Sequence, residues 1–340
     1  MTDRATVAVV AYDDQDTLER CVRSLRSTIR VPILIVDNHS KDKTSTIAAA
    51  LASELPRVSA IHTDENGGYA AAGNIARSKV ATEYLAIMNA DCTSTGDWVS
   101  PMIAYLDDNP GTAAVSPTLG LNGRDALNAE GLDIHKAGFG FNRHLGRPME
   151  EAAISPGPVP GIQGTAFIIR LAALDAIGGW YSGGFLYHED VELSWSLRLA
   201  GYDISHIPTP PLMHDYELTM SPEKFFLLER NRLEMLSVNL SPATKMVLAP
   251  VVLATEIAVW LYALRKGSAL AYAKLRSYRG LVARGSIRKV RRREVRAFRR
   301  ISDRELMRAT HWRYPRSQTR ALHRDPTTSG RRGDREMPTP

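Results

Sequence analysis

Three carboxylates in four positions form the densest chemical signal in the chain: Glu189, Asp190 and Glu192, in the run Tyr187-His188-Glu189-Asp190-Val191-Glu192. Like charges this close repel, and they persist where cations offset them or where a general base is wanted. Helix-dipole complementarity favours acids in a first turn, but it accounts for one acid better than for three. Glu189 and Asp190 are therefore the candidate base. Three more polar clusters follow apolar, β-branched runs. Asp37, heading Asp37-Asn38-His39-Ser40, is placed either to accept hydrogen bonds from a base or ribose or to cap the next helix. Glu65-Asn66-Gly67-Gly68, with small residues after it, either lets a backbone approach a phosphate or sugar or packs a helix tightly on a strand. Asp91, in Asn89-Ala90-Asp91, suits a divalent cation that bridges two phosphates, or it is a turn residue. His214, after a proline-rich loop, is either a ligand for such a cation or a structural histidine.

These residues need elements to carry them. Strand-like runs at Val7–Ala11, Val31–Val36, Val58–His62 and Tyr84–Met88 alternate with helical spacing at Asp16–Thr28, Lys43–Leu55 and Gly73–Val80. Continuous apolar strands alternating with helices predict a parallel sheet covered on both faces, with ligands at the carboxyl ends of its strands. All three polar clusters fall at such ends. Residues 116–160, rich in Gly, Asn and Pro, read as loops with one hairpin, a mobile flap. Ala166–Arg170 reads as a strand, Glu192–Ala200 as a helix ended by Gly201, and Pro222–Val238 as a helix entered after Ser221.

The chain has 340 residues and a net charge of +6, but the charge is divided. Residues 1–264 carry a net charge of −11, whereas residues 265–320 hold 19 Lys/Arg against 3 Asp/Glu. An acidic body with a basic tail predicts a tail that meets an anionic surface, nucleic acid or lipid headgroups. Before the tail comes Met246–Leu264, 19 residues with one acid, Glu256, and one proline. That length is marginal for a membrane span, and the alternatives are an interfacial helix or one packed on the body. Trp260 and Tyr262 beside Arg265 and Lys266 suit a headgroup boundary. The arginine run after it allows a basic amphipathic helix, and 324–340 reads as disordered. Two widely separated cysteines, Cys21 and Cys92, make no disulfide framework or zinc spacing and point to a reducing compartment.

In this order, the segments VAVVAYDDQDTLERCVRSL, ILIVDNHSKDKT, ENGGYAAAGN, LAIMNAD, GIQGTAFIIR, GGWYSGGFLYHEDVELSWSLRLAGY and FFLLERNRL resemble an inverting glycosyltransferase of family 2, over about residues 6–235. The detail is similar to bacterial rhamnosyltransferases of polysaccharide and cell-wall assembly. The resemblance implies the GT-A fold: an α/β catalytic domain over 1–240, then an apolar helix and basic, membrane-associating helical tail over 241–320, and a disordered end over 321–340. It implies a nucleotide-sugar donor contacted around Tyr12, Asp13, Asp37, Asp42, Asn66, Gly67, Gly68, Asn74 and Asn89. It also implies a Mg²⁺ or Mn²⁺ ion at Asp91 and His214, and Asp190 as catalytic base with Glu189 beside it. Arg230 and Asn231 match an Arg-Asn pair to which no role is given. Two departures stand out: Tyr12 is followed by Asp13 where asparagine is usual, and Asn89 replaces the first acid of the D-x-D motif, leaving one carboxylate for the metal.

The implied reaction is one in-line displacement at the anomeric carbon, with a glycan or lipid-linked hydroxyl as acceptor, at the cytoplasmic side of the membrane. dTDP-rhamnose is the donor suggested by the subgroup. Competing readings are a family-2-like protein that binds a sugar nucleotide without catalysis, and a nucleic-acid-binding protein using the arginine tail. A nucleotidyltransferase would want a Gly-rich basic loop where Tyr12-Asp13-Asp14 stands.

Overall fold

The computed structural model describes residues 3–216 and 219–314. Its first half is the expected alternation: β1 (Ala5–Ala11), α1 (Leu18–Thr28), β2 (Ile33–Asp37), α2 (Thr44–Glu54), β3 (Val58–His62), α3 (Tyr69–Lys79) and β4 (Tyr84–Asn89). Then come β5 (Cys92–Ser94), α4 (Val99–Asp108), β6 (Thr112–Ser116), β7 (Leu119–Leu121), β8 (Leu127–Ala129), β9 (Leu132–Ile134), β10 (Gly140–Asn142) and β11 (Gly157–Pro158). They lead into β12 (Ala166–Arg170), α5 (Leu171–Ala176), α6 (Glu189–Leu199), β13 (Asp203–His206) and β14 (Leu212–His214). Five helices close the chain: α7 (Pro222–Asn239), α8 (Pro242–Lys266), α9 (Ser268–Ala283), α10 (Gly285–Phe298) and α11 (Asp303–Arg308).

The main sheet runs β11-β13-β6-β12-β4-β1-β2-β3. β3, β2, β1 and β4 are mutually parallel, and β12 enters antiparallel between β4 and β6. Alternate residues of each strand feed opposite faces. Val7, Val9, Ile33, Ile35 and Met88 pack under Leu18, Leu25 and Met102, while Ala8, Val10, Leu34, Val36 and Ile87 pack under Ala70, Ala76, Leu193 and Leu197. Burial on both faces is why these strands are apolar throughout.

Three expectations change. The helix expected from Gly73 begins at Tyr69, because Gly68 at φ +83 turns the chain into it. The helix expected from Glu192 begins at Glu189, so the carboxylate pair lies in its first turn. Residues 116–160 are not a loop flap; they contribute strands of two or three residues, including two of a four-stranded sheet ordered β5-β14-β7-β8. The basic tail folds back on the body: α9 and α10 pack on α7, and α10 and α11 on α6. Residues 321–340 lie outside the described residues.

Candidate active site

The loop before α6 is the least relaxed backbone near the carboxylates. Phe185, Tyr187 and His188 have φ of 66°, 64° and 73°, left-handed values that side chains bearing a Cβ disfavour. Asn231 supplies most of the bonds that hold this loop: its buried amide donates to Gly184 O (3.0 Å), Leu186 O (3.0 Å) and Tyr187 O (2.8 Å). Arg230 adds a bond to Gly184 O at 2.7 Å, and its Nε donates to Asn231 Oδ1. The Arg-Asn pair of α7 is therefore the clamp of this loop. Gly68 closes the loop's other side, where a Cβ would lie 1.8 Å from Phe185 O.

From that loop Glu189 and Asp190 enter α6. Asp190 accepts from Gly164 N (3.2 Å) and from its neighbour Val191 N (2.8 Å). Burial pushes its carboxyl up, against those two bonds. Glu189 goes up further, to about 8, through burial first and the neighbouring Asp190 charge second. Its Oε2 is buried without a protein partner. The third acid, Glu192, is spent elsewhere: Arg291 of α10 donates to it at 2.7 Å, and to Ser196 at 2.9 Å. The acid cluster thus resolves into one neutralised carboxylate and two that face the site.

The loop before β12 ties this pair to the end of β4. Gly164 binds Asp190, Tyr69 donates to Gly164 O at 2.6 Å, and Asn89 N donates to Thr165 O at 2.8 Å. Burial raises the Tyr69 hydroxyl, as do the charges of Glu189 and Asp190.

Pairing of β14 with β5 sets His214 opposite Cys92 and hence beside Asp91. Ligand atoms of Asp91, Cys92 and His214 lie within 4.8 Å of one another. His214 Nδ1 meets Asn128 Oδ1 at 2.9 Å, which orients the ring so that Nε2 lies 3.4 Å from Asp91 Oδ1. A carboxylate oxygen and an imidazole nitrogen grouped in this way fit a cation, and the buried Asn89 Oδ1 has no protein partner. Carboxylate and imidazole suit Mg²⁺ or, better for the imidazole, Mn²⁺. Burial keeps the Cys92 thiol protonated and thus a poor ligand.

On the other side of β1, Asp37 was expected to reach a nucleotide base. It is 1% exposed, and its oxygens accept from Ser40 and from His62 Nδ1 (2.7 Å). What it offers a ligand passes through those two residues. Asp13, the unusual acid, accepts from Lys41 N at 2.7 Å, and Asp42 from Gln15 N and Thr44 N, so both lace the β1 and β2 loops together. Asn66 Oδ1 accepts from Asn38 and from Gly68 N. Tyr12 remains partly exposed beside them. Asn74 turns away: both its amide atoms bond the Trp180 backbone, fixing the Gly178-Gly179 turn. Sequence reasoning did not single out Tyr69, Asn128 or Gly164 as site residues, nor a role for Asn231. Only the motifs containing Tyr69, Gly164 and Asn231 carried a signal.

The family model described as "Glycosyl transferase family 2" matches residues 6–178. Beta-monoglucosyldiacylglycerol synthase of Synechocystis sp. is 24% identical over 211 residues, 60% of this chain and 42% of that protein. N-acetylglucosaminyl-diphospho-decaprenol L-rhamnosyltransferase of Mycobacterium tuberculosis is 23% identical over 238 residues, 63% of this chain and 76% of that protein. The chain thus spans less than half the length of the first of these relatives. GalNAc-T7, solved with UDP, GalNAc and Mn²⁺, superposes at a TM-score of 0.62 with 16% identity over 89% of this chain and 56% of that one. The mannosyltransferase PcManGT of Pyrobaculum calidifontis, solved with GDP-Man and Mn²⁺, gives 0.53 and 18% over 87% and 85%.

Proposed function

Because the chain belongs to glycosyl transferase family 2 and has its GT-A fold, we propose that it is an inverting glycosyltransferase that moves a sugar from a nucleoside-diphosphate donor to a hydroxyl of a glycan or lipid-linked acceptor. The observation that carries this reading is the Glu189–Asp190 pair. It is anchored through Gly164 and Thr165 to the same strand end as Asn89 and Asp91. A base and a place for a charged leaving group thereby share one edge.

In this reading the acceptor oxygen attacks the anomeric carbon while Asp190 accepts its proton. The bond from that carbon to the diphosphate breaks in the same displacement, so the configuration inverts. Burial makes Asp190 a stronger base than a solvated aspartate. Glu189, raised further, shares the proton inventory of the pair. Asp91 and His214 would hold the divalent ion, and Asn128 orients the imidazole. When bound, such an ion supplies charge neutralisation for the departing diphosphate. Tyr12, Asn66, Gly67, Gly68 and the Asp13–Asp42 lacing form the donor's nucleotide side, with Asp37 acting through Ser40 and His62.

The relative from Mycobacterium tuberculosis, named as an L-rhamnosyltransferase acting on a diphospho-decaprenol, supports dTDP-rhamnose as the first donor to try and a lipid-linked acceptor. A membrane-resident acceptor fits peripheral attachment at the cytoplasmic face through the C-terminal helices, of which α8 is long and apolar enough to cross a membrane by length and composition. The test is a donor panel with Mn²⁺ or Mg²⁺, reading nucleoside diphosphate release. One donor should be turned over, with turnover abolished by EDTA and by Asp190→Asn. Donor-dependent thermal stabilisation without turnover in the wild type would instead select the non-catalytic binder.

A further inference from the structure

We infer that α8 does not cross the membrane but lies flat on an anionic bilayer, bound through one apolar stripe while its opposite face stays locked to the body. This rests on the membrane reading proposed above and specifies its contact surface. Met246, Val247, Leu253, Ile257, Leu261 and Leu264 are each more than half exposed. They recur at helical spacing, so they make one continuous stripe along the outward side of α8. The adjoining α9 also exposes Tyr272, Leu275 and Val282. A contiguous patch of this kind marks an interaction surface.

The inward face is committed. Leu248, Thr255 and Ala263 are buried. Glu256, the only acid of α8, pairs with the buried Arg232 and Lys274 and accepts from Tyr278, while Trp260 donates to that same tyrosine. A spanning orientation would pull Glu256 into hydrocarbon and leave Arg232 and Lys274, 1% and 0% exposed, short of a counter-charge. Flat docking keeps every one of these bonds.

The surrounding charge selects the occupant. No Asp or Glu occurs between Ile257 and Arg293, and the exposed Arg265 and Lys266 end the stripe. Anionic headgroups meet that charge, whereas a second copy docking face to face would set like charges together. Val259, Tyr262 and Ala263 of α8 also share a cluster with Phe185, Leu186 and Tyr187, the loop that leads to the catalytic pair. A docked α8 therefore holds that loop beside the bilayer, where a lipid-borne hydroxyl is presented.

The experiment floats the full chain with vesicles of phosphatidylcholine alone or mixed with phosphatidylglycerol. Single-cysteine reporters, Ala243→Cys and Lys266→Cys, mark the two ends of α8 and are treated with an impermeant maleimide after binding. Cys21 and Cys92 are buried and stay silent in the fold. Expected are binding to the anionic vesicles, labelling of both ends, and at least a tenfold loss of binding in Leu253→Asp/Ile257→Asp with unchanged circular dichroism. Protection of one end would show a span, and full binding by the double variant would show that the stripe is idle. Either overturns the flat mode and leaves membrane association standing. No flotation, with or without a dimer in light scattering, overturns both.

Discussion

Replacing Asn231 with alanine removes an amide whose two N–H bonds serve three backbone carbonyls, those of Gly184, Leu186 and Tyr187. Each such bond contributes about 1 kcal/mol net, so the clamp supplies about 2–3 kcal/mol. It opposes three left-handed residues, Phe185, Tyr187 and His188, at roughly 1–2 kcal/mol each. Without the amide, the Arg230 bond to Gly184 O and the packing around the loop must bear the strain alone, and the loop relaxes, moving Glu189 and Asp190 off their positions. Stability should fall by no more than about 2–3 kcal/mol, since relaxation returns part of the strain. The turnover number should fall roughly 10- to 100-fold, a barrier increase of about 1.4–2.7 kcal/mol. Asn231→Asp should be worse than alanine, because it points carboxylate oxygens at three carbonyl oxygens. Initial rates of nucleoside diphosphate release and urea unfolding of all three proteins check this. Full turnover in a destabilised alanine variant, or an aspartate variant as active as alanine, would refute the clamp.

The pH dependence follows from the carboxylate pair: activity should rise with pH through a limb above the ordinary carboxylate range, because burial raises both groups. Their protons are held in the fold where the unfolded chain has lost them, so the pair's contribution to stability is present in acid. It declines as pH climbs from the ordinary glutamate value of 4.5 through about 8; Glu189→Gln should flatten that decline in urea unfolding across the interval. Asn128→Ala should weaken activation by Mn²⁺ roughly 10- to 100-fold by freeing the His214 ring, read from metal titrations of turnover and of thermal shift. Gly68→Ala combines a left-handed φ with a Cβ 1.8 Å from Phe185 O, and should abolish turnover by displacing the catalytic loop, with an altered near-ultraviolet spectrum. Arg291→Met leaves Glu192 buried without its cation and should cost roughly 3–5 kcal/mol in urea unfolding, partly restored by adding Glu192→Gln.

The half-sheet from β1 to β4 was legible because strands buried on both faces read as unbroken apolar runs, and their polar ends then marked the ligand edge. Helix starts were less legible. Gly68 and the left-handed His188 open α3 and α6 without a side-chain cap, so the usual Ser, Thr or Asp signal is absent. Residues 116–160 hid their strands because two or three residues cannot show a period. Asp37 was read in the right place, but the partners that turn it inward come from the Ser40 turn and from β3 across the sheet. Net charge exposed the basic tail, yet composition does not say which arginines point inward; Arg291 finds Glu192 across 99 positions. Asn231 stood out only as half of an Arg-Asn pair without a role, since its three acceptors are backbone atoms.

The bond between Glu192 and Arg291 also bears on the order in which the protein is made. The carboxylate triplet leaves the ribosome about a hundred residues before the cation that neutralises one member of it. Glu234 waits 50 residues for its partner Arg284, which also donates to Gly183 O beside the loop before α6. A nascent chain that has finished its sheet still carries this acid cluster without Arg291, and Glu192 gains its counter-charge only when α10 arrives. A chain that stops short of α10 holds all three carboxylates in its sequence but lacks Arg291, the cation that neutralises Glu192.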